Sequence, residues 1–371
     1  MKIPSPCFVL DEEALLRNLQ LINDVQRRAD VEIILAFKGF AMWSVFPLVK
    51  QYANGATASS LNEVKLCNEE MGVKSHTYCV AYANDEFPEI ASQSSHITFN
   101  SLSQYRQFVD KVPEGVSVGL RVNPEWSDVE TDLYNPSSPV SRLGISHESL
   151  KELPAGIEGL HFHVLCESDS YALEKVMMSF ESKFGHLLSQ VKWVNMGGGH
   201  LMTKEGYDTN HLIKILSNFK KKYDVHVILE PGSAFAWQTG DLHATVLDVV
   251  DRGGKKTAIF DGSFTCHMPD CLEMPYRPKL ENGSDEHVAG WHPFRLGGVS
   301  CLAGDFLEEY WFEKPLESGD QLIFKDMIHY TMVKTSTFNG VKHPSIGILR
   351  KTGEFELIRQ FGYEDFKDRL S

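Results

Sequence analysis

Four places in the sequence carry side chains whose type and setting could do chemistry. Lys38 stands in Ile-Leu-Ala-Phe-Lys-Gly-Phe (34–40), directly behind an apolar run. A lysine leaving apolar surroundings has a poorly hydrated ammonium and a lowered pKa, which suits a Schiff-base nucleophile. The alternative is a surface lysine whose stem snorkels past its neighbours. Gly197-Gly198-Gly199 exposes consecutive backbone N–H groups, either as a nest for a phosphate or as a plain tight turn. Glu230, in Leu-Glu-Pro-Gly (229–232), offers a carboxylate that could hold a proton on the ring nitrogen of a heteroaromatic group. His161 and His163 are two residues apart, hence on one face of a strand. They read as a metal pair, as an imidazole stacked on a cofactor ring, or as core histidines satisfied by backbone.

The elements that must position these groups alternate with unusual regularity. Short β-rich runs fall at Val31–Phe37, Gly55–Ala58, Thr77–Val80, Ile97–Phe99, Val116–Val122, Ile157–Phe162, Trp193–Met196 and Val225–Leu229. Helical patterns separate them at Trp43–Tyr52, Leu61–Met71, Asp85–Ala91, Leu102–Lys111, Glu148–Lys151, Tyr171–Gln190 and His211–Tyr223. Such alternation predicts an α/β fold, a (β/α)8 barrel of TIM type. An open doubly wound sheet would carry G-x-G-x-x-G after the first strand, and none is there. The working end of a barrel is the rim formed by the strands' C-terminal ends. Those ends are Lys38, Thr57 with Ser59, Tyr82, Asn100, Arg121 with Asn123, His161 with His163, the glycine run, and Glu230. After Gly232 the texture changes to short strands at Thr245–Val250, Lys256–Phe260, Gln321–Phe324 and Ile346–Leu349, an antiparallel β domain that Cys7–Leu10 could join. The expected domains are residues 12–235 for the barrel, and 1–11 with 236–371 for the β domain.

A lysine on strand one, a glycine nest on strand seven and a carboxylate on strand eight match the carbonyl, phosphate and ring nitrogen of pyridoxal phosphate. His-x-His on the sixth strand, rather than the first, argues against a metal-dependent barrel hydrolase, so no metal is expected. The chain has 371 residues with 36 Lys plus Arg against 50 Asp plus Glu, a net charge of −14. That balance disfavours nucleic acid or an anionic membrane and is compatible with cationic ligands. No run approaches the length of a membrane span. Seven cysteines without a C-x-x-C pair suggest reduced thiols in the cytoplasm.

Eight segments carry a resemblance. They are Ala-Phe-Lys-Gly-Phe (36–40), Ala-Thr-Ala-Ser-Ser-Leu-Asn-Glu (56–63), His-Phe-His-Val-Leu-Cys-Glu (161–167), Met-Gly-Gly-Gly-His (196–200) and Leu-Glu-Pro-Gly (229–232). They continue through residues 266–278 (Cys-His-Met-Pro-Asp-Cys-Leu-Glu-Met-Pro-Tyr-Arg-Pro), 300–305 (Ser-Cys-Leu-Ala-Gly-Asp) and 329–340 (His-Tyr-Thr-Met-Val-Lys-Thr-Ser-Thr-Phe-Asn-Gly). Together they resemble the fold-type III pyridoxal-phosphate decarboxylases, the alanine-racemase-like barrels. The last four point to the subfamily acting on carboxynorspermidine and carboxyspermidine. The resemblance implies Lys38 as the cofactor-bearing lysine, His163 stacked on the ring and Glu230 at the ring nitrogen. It implies Gly198, Gly199 and Tyr330 for the cofactor's phosphate side. Asp270 would receive a distal substrate amine, with Glu167 and Asp305 as further anionic anchors. Cys301 would protonate the carbanion from across a homodimer with shared active sites, the β domain contributing to site and dimer.

Two departures matter. Relatives often place Arg where this chain has Ser233, which leaves the phosphate more dependent on backbone N–H groups. Relatives often place Asp where it has Leu302, which shifts specificity away from short diamino acids. A diaminopimelate decarboxylase would want arginines near Asp270, where only Arg277 stands, and it remains the nearest rival together with an ornithine-type enzyme. An amino-acid racemase fits less well, because Glu230 favours a full electron sink. A non-catalytic pyridoxal-phosphate carrier would lack residues 234–371.

Overall fold

A computed structural model describes residues 2–128, 135–138, 140–274 and 276–371. The chain forms two compact units, residues 18–235 on one hand and the chain up to Arg17 with Ala236–Ser371 on the other. The first strand, β1 (Cys7–Asp11), belongs to the second unit.

In the first unit the strands are β2 (Glu32–Ile33), β3 (Leu35–Ala36), β4 (Ala56–Ala58), β5 (Ser75–Tyr78), β6 (Ser94–Phe99), β7 (Ser117–Arg121), β8 (Gly159–His161), β9 (Trp193–Asn195) and β10 (His226–Leu229). Their order is β2-β10-β9-β8-β7-β6-β5-β4-β3, every neighbour parallel. β2 and β3 are halves of one run divided at Ile34. The Ile34 N–H donates to Leu229 O at 2.9 Å and the Leu35 N–H to Gly55 O at 3.1 Å. The first half thus pairs with the last strand and the second half with β4, which nearly closes the sheet into a barrel. The expected eight-strand alternation is therefore present, with its first strand in two pieces.

The barrel interior is packed rather than open. Gly119 on β7 and Gly159 on β8 leave room for the Trp193 indole; a Cβ on either would come within 2.3 Å of that ring. Trp193 packs with Ile34 and Ile228 in the core. Crossover helices begin at side-chain caps: Ser60 accepts from the Glu63 N–H, Asp169 from Ala172 and Asp208 from His211. The expected short helix at 148–151 is instead a turn, closed by the Ser149 N–H to Ser146 O and a contact between the two serine hydroxyls. One turn of helix has no stability of its own, and serine side chains offer the backbone other partners. Conversely, the helix Glu12–Ala29 was not among the sequence-derived elements.

The second unit is a sheet of β1, β11 (Gly240–Arg252), β12 (Lys255–Phe260), β13 (His292–Gly297), β14 (Phe306–Phe312), β15 (Gln321–Phe324), β16 (Ser345–Leu349) and β17 (Phe355–Arg359). Its path is β14-β13-β12-β11-β1-β16-β17, with β15 also on β11. Most pairings are antiparallel, but β1 with β16 and β12 with β13 are parallel, so the sheet is mixed. Neither parallel pair is joined by a hairpin. β1 and β16 come from opposite ends of the chain, and residues 261–291 cross between β12 and β13. Strands β14 and β17 carry charged residues at exposed positions, β13 opens on the exposed pair His292-Pro293, and none of the three has a clear sequence signal.

Candidate active site

Register alone assembles the rim of the barrel. Arg121 lies opposite His161, and His161 opposite Asn195, so the last residues of β7, β8 and β9 form one row. Glu230 follows β10 directly. Lys38 follows β3 by two residues, and the turns after these two strands touch: a Cβ on Gly39 would lie 2.7 Å from Gly232 Cα. Only glycine permits that approach, which brings the Lys38 and Glu230 segments together.

Lys38 Nζ sits 3.4 Å from His163 Nε2. The Gly198 N–H donates to His163 Nδ1 at 2.7 Å, so the ring's own proton resides on Nε2. Burial holds His163 well below the ordinary histidine range, reinforced by Lys38 and Arg121, so the ring is neutral. Two donors would then face each other unless Lys38 is a free amine. Lys38 is reachable by solvent, yet protein atoms crowd its Nζ. That crowding lowers its pKa, Arg121 lowers it further, and Glu230 and Glu63 oppose the shift. The arrangement favours a nucleophilic amine.

Glu230 is 7 % exposed. Burial raises its pKa, while the hydrogen bond from Asn195 and the nearby Lys38 pull it back. Asn195 Nδ2 donates to Oε1 at 2.6 Å, and Oε2 lies 3.7 Å from His161 Nε2. Neither ring nitrogen of His161 has a hydrogen-bond partner among the described residues. Arg121 donates from Nη2 to His163 O at 3.0 Å and lies 4.7 Å over the Tyr78 ring, whose hydroxyl donates to Asn100 Oδ1 at 2.8 Å.

Sequence reasoning placed Arg121 and Asn100 on the rim without giving them a role, and it missed Asn195. The available signal was an amide inside the apolar run Trp-Val-Asn-Met. The glycine run also differs from a simple three-amide nest. The Gly197 N–H goes to Asn195 Oδ1 at 2.8 Å and that of Gly198 to His163, so two of the three N–H groups are engaged within the protein. Gly198 thus orients the imidazole.

The remaining expected residues lie in the second unit, apart from Glu167, which is exposed in the loop after β8 with φ +50°. Asp270 and Glu273, on the helix Asp270–Glu273, both pair with Lys334. Cys301 is exposed, its N–H donating to Asn339 Oδ1 at 2.8 Å. Tyr330 is half-buried with φ +49°. Asp305, expected as a substrate anchor, is held by donors of its own unit. It is 4 % exposed, and its carboxylate accepts from Ser263 Oγ at 2.8 Å, Thr265 N at 3.0 Å and Ser300 N at 3.2 Å. The Ser300 N–H among these donors ties Asp305 to the loop that carries Cys301. Among the described residues no group of three His, Cys, Asp or Glu side chains is arranged to hold a metal ion, and no helix is long and apolar enough to cross a membrane.

The family described as "Pyridoxal-dependent decarboxylase, C-terminal sheet domain" matches residues 7–328. The chain belongs to the pyridoxal-dependent decarboxylases. It is 52 % identical to a carboxyaminopropylagmatine decarboxylase from Synechocystis, over 99 % of this chain and 96 % of that one. Identity to a carboxynorspermidine/carboxyspermidine decarboxylase from Campylobacter jejuni is 43 %, over 99 % of both. The crystal structure of the Campylobacter jejuni carboxynorspermidine decarboxylase complexed with norspermidine superposes with a TM-score of 0.93 at 42 % identity, covering 99 % of this chain and all (100 %) of that one.

The decarboxylase's cofactor is pyridoxal phosphate, and the barrel rim fits it. A crowded amine, a neutral imidazole and a buried carboxylate face one region. The glycine run cannot carry side chains: a Cβ would lie 2.5 Å from Phe162 O at Gly197, 2.4 Å from Glu230 O at Gly198 and 2.2 Å from Leu165 O at Gly199. A buried carboxylate with a raised pKa is stabilised by a partner that brings a positively charged N–H, which a protonated pyridine supplies.

Proposed function

We propose that this enzyme removes the carboxylate of carboxyaminopropylagmatine, taking up one proton and releasing aminopropylagmatine and carbon dioxide. The observation that carries the reading is the 52 % identity to the Synechocystis enzyme over nearly the whole of both chains. Side-chain chemistry supports it. Asp270 and Glu273 stand together, both paired with Lys334. A terminal guanidinium, with five N–H donors in a planar fork, can address two carboxylates at once, whereas an ammonium is a point charge. The second reading is carboxynorspermidine or carboxyspermidine, favoured by the likeness to the norspermidine-bound structure.

In this reading Lys38 would hold the cofactor covalently through Nζ, and Glu230 would keep a proton on the ring nitrogen. His163, oriented by Gly198, would meet the ring as a neutral imidazole. Gly199 and Tyr330 serve the phosphate. Bound pyridoxal phosphate supplies the electron sink for the pair left when the bond to the carboxylate breaks. Cys301 of the partner subunit gives a proton to that carbon, so the working form is a homodimer, in the cytoplasm. Asp270 and Glu167 receive the substrate's cationic groups, while Asp305 sets the Cys301 loop.

The test is kcat/KM, read by carbon dioxide release, for all three carboxylated polyamines. Carboxyaminopropylagmatine is expected to lead by about ten-fold or more. A lead for carboxynorspermidine or carboxyspermidine transfers the conclusion to the second reading. No carbon dioxide from any of them overturns the substrate class.

A further inference from the structure

We propose that Asn195 is a positioning residue that keeps Glu230 ionised and aimed, and that joins it to the glycine run as one unit. The inference rests on the reading of Glu230 as the ring-nitrogen partner. Asn195 ends β9 and is 4 % exposed. Its Oδ1 accepts the Gly197 N–H at 2.8 Å. A backbone N–H can only donate, which settles which end of the amide is oxygen. Nδ2 therefore faces Glu230, donating to Oε1 at 2.6 Å. The Glu230 N–H in turn donates to Gly197 O at 2.7 Å, closing a ring of three hydrogen bonds among Asn195, Gly197 and Glu230.

The groups around this carboxylate come from nearly every neighbouring strand. Lys38 follows β3, Thr57 lies on β4, Arg121 ends β7, His161 ends β8 and His163 follows it. The histidines are neutral, and Lys38 loses charge readily because its surroundings disfavour the ammonium. The amide of Asn195 does not titrate, so its donation to the carboxylate is the same at every working pH. A hydrogen bond made to the charged form stabilises that form. The same amide fixes the first glycine of the run. Displacing Asn195 would therefore disturb both the carboxylate and the glycine run, which lie at opposite ends of the cofactor in the proposed reading.

The decisive variant is Asn195→Asp. One of its oxygens can still accept the Gly197 N–H, while the other presents an acceptor where Glu230 had a donor. A merely structural tie is thereby kept and the electrostatic role reversed. Two readouts other than turnover are taken on the full-length protein. The first is the pH midpoint of Glu230 ionisation, followed by infrared difference spectroscopy with 13C-glutamate and assigned through Glu230→Gln. The second is the dissociation constant of pyridoxal phosphate by absorbance titration. Asn195→Asp is expected to raise the midpoint by about one pH unit or more. It is expected to weaken cofactor binding about ten-fold or more. Both values unchanged in Asn195→Asp would overturn the proposal. Should that chain fail to fold, the unaltered protein decides. The Asn195 side-chain amide resonances are expected to shift with the Glu230 titration and lose that shift in Glu230→Gln; amide resonances insensitive to it would overturn the proposal. Full turnover in Glu230→Gln would instead overturn the reading of Glu230 itself, whatever Asn195 does.

Discussion

Replacing Asp270 by Asn tests how the substrate's far end is held. Asp270 is the more sheltered of the two carboxylates on its helix, its side chain 16 % exposed against 49 % for Glu273. Both are held by Lys334, with Glu273 Oε2 at 2.8 Å. A hydrogen bond to a charged group contributes about 1.5–3 kcal/mol net. Glu273 stays in place and is half-screened by water, so the loss belongs at the low end, about 1.5 kcal/mol or roughly ten-fold in KM. An anchor remote from the reacting carbon binds ground and transition states alike, so kcat should stay within about two-fold. Steady-state carbon dioxide release across a substrate range measures both. The companion variant Lys334→Met removes the internal cation and is expected to lower KM, because the carboxylates no longer have to exchange one cation for another. Normal KM with a fallen kcat in Asp270→Asn would refute the anchoring argument, and a raised KM in Lys334→Met would refute the exchange.

Three further outcomes are expected. Glu230→Gln should retain pyridoxal phosphate, seen by its absorbance, and lose turnover by about 3 kcal/mol, since an amide cannot hold the ring-nitrogen proton; full turnover removes Glu230 from the mechanism. Lys38→Ala and Cys301→Ala chains should each be nearly inactive, whereas mixed and exchanged dimers should recover about a quarter of the sites, because half the dimers are mixed and one site in each is intact. No recovery in heterodimers confirmed by mass would place Cys301 in its own chain's site. Stability should fall below pH 6.5, because burial holds His76 down to about 3 while the unfolded chain protonates near the ordinary 6.5. The contribution is complete above that value and is lost toward pH 3 at about 1 kcal/mol per pH unit. His76→Phe, which keeps a ring against the tilted His96 ring 3.9 Å away, should flatten the denaturation slope over that range; an unchanged slope contradicts the assignment.

The barrel strands were legible because parallel strands buried on both faces must be written as short apolar runs, and helices must separate them. Those runs also place Lys38, His161, His163 and Glu230 at strand ends, where this fold keeps its chemistry. Sequence alone thus put an amine, an imidazole and a carboxylate on one rim, but it named Tyr82, which packs among Phe87, Phe99 and Phe108, where Tyr78 ends the strand beside Arg121. It did not show the split of the first strand at Ile34, since closure depends on pairing with Leu229, almost two hundred residues away. Nor did it show that Asn195, rather than a solvent molecule, faces Glu230, that Gly198 spends its N–H on His163, or that Asp305 is consumed by Ser263, Thr265 and Ser300. Each of these is a matter of which donor meets which acceptor. A chain fixes residue types and periodicity locally, but hydrogen-bond partners between strands are chosen by register and packing. Only the folded barrel and sheet supply those.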